Sequence, residues 1–131
     1  MEFIEVVLDT CSLLWWWSRP ERLTPRARAI IGDPGTSVYI SVASAWEIAT
    51  KYRIGKLPSG ERIMSEWEHR MTVDRFQEIG ITTLHAFRAG TFPGPHRDPF
   101  DRMIAAQSML ERVPVVTPDK QIENLGAERI W

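Results

Sequence analysis

The stretch VVLDTCSLLWWW, Val6 to Trp17, places one carboxylate, Asp9, inside the most apolar run of the chain. Two valines and a leucine lead into it; two leucines and three tryptophans lead away. An unpaired ionised carboxylate in such surroundings costs several kcal/mol, so buried ones are paired, metal-bound or neutral. The apolar, β-branched run from Phe3 to Leu8 stops at Asp-Thr and reads as a buried strand. Thr10 or Ser12 can cap a short helix through the tryptophans, which ends at Ser18-Arg19-Pro20.

The same alternation continues outward. Thr24-Pro25 opens a helix to Ile31, and SVYIS, Ser37 to Ser41, is a second strand. In VASAWEIATKYRIGKL the positions Val42, Ala45, Trp46, Ala49 and Tyr52 follow helical spacing, from a cap at Ser41 or Ser44 to a stop at Gly55. A helix over Ser59 to Met71 leads to a weaker strand at Phe76 to Ile79, and a short helix covers Thr82 to Ala89. After the loop GTFPGPHR come a helix over Asp98 to Glu111, a strand over Val113 to Thr117, a helix over Asp119 to Leu125 and a strand over Glu128 to Ile130. Strands that are near-continuously apolar and alternate with helices predict an α/β fold of three α/β/α layers, with a mostly parallel central sheet of four to five strands.

At 131 residues and 44% apolar composition, one domain over residues 1–131 is expected. The net charge of −1 announces no global basic field, though a local patch suffices to hold a nucleic acid. The single cysteine, Cys11, fits a reducing compartment and reads as a small buried hydrophobe. No run approaches the ~18 apolar residues of a membrane span. Met-Glu-Phe-Ile-Glu at the start lacks the basic region of a secretory signal, so a cytoplasmic protein without membrane contact is expected. The six tryptophans fill a core unless an exposed pair marks a partner surface.

In parallel sheets ligands bind at the carboxyl ends of the strands. Asp9 ends the first strand and Asp119 follows the fourth. The helix opened by Asp98 must start at that same edge, which brings Asp98 and Asp101 there. Glu47 lies in the first two turns of the helix after the second strand. Two like charges 4 Å apart repel by about 4 kcal/mol at an effective dielectric of ~20. Such a cluster therefore retains protons or holds a divalent cation. Oxygen ligands with no nearby cysteine or histidine suit Mg²⁺ or Mn²⁺ better than Zn²⁺. Plainer roles exist for each acid: Asp98 before Pro99 as a helix cap, Asp101 as a dipole partner, Glu47 paired with Lys51, Asp119 as a turn residue.

With these residues in place the chain resembles a PIN domain, specifically the VapC-type ribonuclease toxins of bacterial toxin–antitoxin pairs. The resemblance rests on VVLDTCSLLWWW, SVYISVASAWEIATKYRIGKL, HRDPFDRMIAAQ and VVTPD, in this order and spacing. It implies that Asp9, Glu47, Asp101 and Asp119 form a catalytic acidic quartet that holds Mg²⁺ (or Mn²⁺), with Asp98 supporting. Thr10 and Thr117 match hydroxyl positions that orient a carboxylate or a water. The implied activity is metal-dependent endonucleolytic cleavage of RNA, and the implied partners are a cognate antitoxin and a second toxin chain. Around an acidic site the RNA needs cations; Arg97 and Arg102 flank it, and Arg19 and Arg22 cluster with Arg26 and Arg28 after the tryptophans. His96 is a loop histidine that either touches substrate or is merely exposed, His69 and His85 read as surface residues, and Trp15 to Trp17 and the helix carrying Trp67 are candidate contact surfaces for the antitoxin unless these tryptophans are core. A haloacid-dehalogenase-type phosphatase fails on Cys11, where that chemistry needs a second Asp. A PIN-like module that binds RNA or protein without cleavage is the alternative.

Overall fold

A computed structural model describes residues 4–131. The expected strand start at Phe3 and most of the N-terminal pentapeptide lie outside the described residues. Strand β1 (Ile4–Leu8) is the centre of a five-stranded, all-parallel sheet with order β3-β2-β1-β4-β5. Its neighbours are β2 (Thr36–Ser41) and β4 (Val115–Val116), with Val7 level with both Tyr39 and Val115. The outer strands are β3 (Gln77–Ile79) and β5 (Arg129–Ile130). Burial on both faces explains the unbroken apolar run: Val6, Val7 and Leu8 have no exposed surface.

Successive β1 side chains feed two cores. Val6 and Leu8 pack under α1 (Thr10–Ser18), α2 (Pro25–Gly32), α3 (Val42–Arg53), α4 (Gly60–Ser65) and α5 (Trp67–Val73), with Leu13, Ala27, Ile48, Ile63 and Met71. Val7 packs on the other side with Ile104 and Ala105 of α7 (Pro99–Glu111) and Ile122 of α8 (Lys120–Asn124); α6 (Thr83–Thr91) packs beside α7. The result is the expected three layers.

Local chemistry sets the element ends. Thr24 caps α2 through Ala27 N at 3.0 Å, with Pro25 in its first turn, and Ser41 caps α3 through Ala43 N at 3.0 Å. Two expectations need correction. The helix over Ser59 to Met71 is broken in two at Glu66, which adopts φ −99°, ψ 5°. Helix α1 is capped by Asp9 itself, not by Thr10 or Ser12. The tryptophans of α1 pack inward: Trp17 stacks on Phe76 at 6.4 Å and meets Trp67 edge-on at 5.5 Å. The indole N–H groups of Trp16 and Trp17 both donate to Asp74 Oδ2, at 3.3 and 2.8 Å. They are half-buried wall, while Trp46 is the exposed indole at 57%.

Leu8 stands directly before Asp9 and fills the larger core. Leu8→Ala is expected to cost about 2–5 kcal/mol of stability, read as a lower urea midpoint with an unchanged slope.

Candidate active site

Five helix or strand ends converge where β1 and β4 finish, around a cleft of about 320 Å³ lined by Asp9, Glu47, Asp98, Asp101 and Asp119, with Thr10, Cys11, Trp15 and Lys51. Each acid is held by its local structure. Asp9 is 3% exposed; its Oδ1 accepts from Ser12 N at 2.8 Å and its Oδ2 from Thr117 Oγ1 at 2.6 Å. The Thr117 hydroxyl also accepts from Asp119 N at 2.9 Å, so one side chain ties two of the acids together. Asp119 caps α8 through Gln121 N at 2.8 Å. Asp98 caps α7 through Phe100 N at 2.9 Å and Asp101 N at 3.2 Å, and so sets the turn that carries Asp101.

Glu47 is 4% exposed, an unusual place for a glutamate. Its Oε2 pairs with Lys51 one turn on, while Oε1 has no hydrogen-bond partner among the described residues. Thr10, expected to orient a carboxylate or a water, instead donates to Ser44 Oγ at 2.9 Å and ties α1 to α3.

The electrostatics follow from crowding. Burial, then the charges of Asp98, Asp9, Glu47 and Asp119, push the Asp101 carboxyl up to about 8. Burial pushes Asp9 up to about 6, opposed by the bonds from Thr117 and Ser12 and assisted by Glu47. Burial, then the charge of Asp9, push the Cys11 thiol up to about 12, which keeps it protonated near neutrality. For Lys51 the burial that pulls its pKa down is outweighed by the bond and charge of Glu47, with help from Asp98 and Asp101.

Two sequence expectations change here. The site was read as having no nearby cysteine or histidine, yet Cys11 lines it and His96 Nε2 lies 3.2 Å from Asp101 Oδ2. One ligand atom each from His96, Asp101 and Asp119 lie within 4.8 Å of one another. The only signal for His96 was its place five residues before Asp101, in a Pro/Gly loop that turns back at Gly94, φ +103°. Arg102, expected to contact RNA, spends its guanidinium on backbone carbonyls: Ala89 O at 2.8 Å, His96 O at 2.8 Å and Phe92 O at 2.7 Å. It clamps the loop that presents His96. Arg19, Arg22 and Arg97 remain exposed, and the Arg22 guanidinium lies 5.8 Å from the ring centre of Trp15, a cleft-wall residue.

A donor set of five carboxylates, two of them buried, with one orphaned Glu47 oxygen and one carboxyl kept protonated near neutrality, fits a divalent cation. Another cavity, of about 470 Å³, is lined by Glu5, Tyr39, Gly80, His85 and Glu111 and by none of these acids. Its histidine, His85, is 1% exposed and not the surface residue expected. It accepts from Thr82 N at 3.1 Å and meets Glu111 Oε1 at 2.8 Å, an assignment to helix capping.

A family model described as PIN domain matches residues 6–128. Over 64 residues the chain is 42% identical to Ribonuclease VapC16 of Mycobacterium tuberculosis, a match covering 49% of this chain and less than half, 42%, of that relative. Among solved structures, VapBC2 from Rickettsia felis bound to a DNA fragment from their promoter superposes at TM-score 0.70, with 14% identity and 97% and 98% of the two chains covered. A toxin–antitoxin complex from Klebsiella pneumoniae superposes at 0.62, with 18% identity and 96% of each chain covered. At these identities the superpositions show the fold.

Two outcomes are expected. Both raised carboxyls bind protons more tightly in the folded than in the unfolded chain. Their contribution to stability is complete below pH 4 and lost as pH rises through about 6 for Asp9 and about 8 for Asp101. In chelator, Asp101→Asn is therefore expected to gain about 2 kcal/mol or more on wild type at pH 8 and little at pH 4, by denaturant titration. Arg102→Gln is expected to lower the melting temperature by several degrees through the freed carbonyls, with the salt dependence of RNA binding unchanged in filter-binding assays.

Proposed function

The chain belongs to the PIN domain family, and from that premise we propose that it is a metal-dependent endoribonuclease, the toxin of a toxin–antitoxin pair. The observation that carries the reading is the convergence of five carboxylates from four separate segments on one cleft, with the buried Glu47 Oε1 unpartnered among the described residues. The name of the matched relative, a ribonuclease, supports the activity. The toxin–antitoxin complexes among the structural relatives support a small protein partner.

In this reading Asp9, Glu47, Asp101 and Asp119 hold Mg²⁺ or Mn²⁺, and His96 stands beside Asp101. An ion held there supplies a Lewis acid at the phosphodiester and activates a water for in-line displacement. The chain's own residues do the positioning. Thr117 and the Ser12 N–H keep the Asp9 carboxylate aimed from the strand end. Asp98 adds negative charge and sets the turn before Asp101. Arg97, Arg19 and Arg22 take phosphates of the polyanion along the rim, which makes binding weaken as salt rises. The protein acts as a single domain in the cytoplasm, as a homodimer, and is silenced when its antitoxin covers the cleft.

Cleavage of a total cellular RNA pool by the purified chain tests this, in Mg²⁺, in Mn²⁺ and in chelator. Discrete fragments are expected with either metal and none in chelator. Asp9→Asn or Asp101→Asn is expected to slow cleavage on the order of 10²-fold or more while leaving the fold intact by circular dichroism. A folded, metal-loaded wild type that leaves every RNA intact would overturn the nuclease reading in favour of a binding module.

A further inference from the structure

Lys51 is the feature of the cleft that metal ligation leaves unexplained. Among the described residues it is the one cationic side chain in the lining, opposite five carboxylates. Its ammonium sits on Oε2 of Glu47, whose side chain is 5% exposed, while Lys51 keeps 43% of its own side chain exposed. An inward carboxylate is thus paired with a cation that reaches in from the mouth on a flexible stem. Spacing of i, i+4 with the acid first is the favourable helical order, so α3 delivers the ammonium without distortion. The pair satisfies one oxygen of Glu47 and leaves the other buried, with no hydrogen-bond partner among the described residues.

We propose that Lys51 is the resident counter-ion of the cleft, occupying part of the place a divalent cation takes and yielding it when that cation enters. The inference rests on the reading of the cleft as a metal site. The ammonium lets the chain fold around its acids before metal arrives. A divalent ion that recruits Glu47 must then break the pair and works against a like charge nearby, so the site binds metal more weakly than its carboxylates alone would. Displaced, Lys51 lies at the mouth of the cleft, where a cation meets the phosphates of an approaching polyanion.

Titration of the full chain with Mn²⁺ alone, free Mn²⁺ being read by electron paramagnetic resonance at pH 7.5 and constant ionic strength, tests this without any turnover. Lys51→Met and Lys51→Gln are expected to bind Mn²⁺ roughly tenfold more tightly than wild type, by loss of one like charge at short range. Both are also expected to melt lower without metal and to gain more in melting temperature on adding Mn²⁺ than wild type does. Lys51→Arg, which keeps the charge, is expected to stay near the wild-type affinity, and Asp101→Asn to lose the site. Binding that is unchanged or weaker in both neutral variants, with wild type still taking up Mn²⁺, would overturn the counter-ion role and leave the metal site standing. Failure of wild type itself to take up Mn²⁺ would overturn both.

Discussion

Asp9 sits where β1 ends and α1 begins, and the rest of the site is arranged around that junction. Its oxygens accept from Ser12 N and Thr117 Oγ1, so the residue caps one helix while facing the cleft. Thr117 comes from the end of the neighbouring strand and also receives Asp119 N–H. Ser12 Oγ donates to Val116 O at 3.0 Å, a second tie between the two strand ends. Burial of the carboxylate is tolerated because three fully buried residues, Val6 to Leu8, precede it, each contributing about 2 kcal/mol. The apolar stretch and the acid within it are one device: the first holds the second out of water.

Burial first, and the neighbouring acids after it, push the Asp9 and Asp101 carboxyls up, and the metal-free protein carries the strain as retained protons and a borrowed ammonium. Asp101, pushed up to about 8, is the clearest case. The arrangement follows the general rule that functional sites concentrate perturbed titratable groups at a cost to stability. Neutralising these acids relieves the fold and removes the ligands together.

Legibility in the sequence divides along the range of the interactions. The parallel sheet, the order of its elements and the acidic edge were readable, because period, turn residues and the rule of carboxyl-end sites depend on local pattern and simple topology. The cap of α1 was misread because Asp9 was assigned one role and performs two. His85 looked like a surface residue because a histidine three positions after Thr82 is an unusual capping partner. Arg102 and His96 were out of reach for a different reason: both depend on how the 92–98 loop folds back over α7. Three carbonyls that trap a guanidinium leave no trace in residue type. The break at Glu66 likewise reflects packing of two short helices on one core rather than any helix-breaking residue.

Anomalous diffraction from crystals grown with Mn²⁺ would locate a divalent cation at this acidic edge. An anomalous peak is expected at ligand distance from carboxylate oxygens of Asp9, Glu47, Asp101 or Asp119, with Lys51 moved off Glu47. Crystals of the folded chain with no peak in the cleft, or with a peak only beside Glu5 and Glu111, would rule it out.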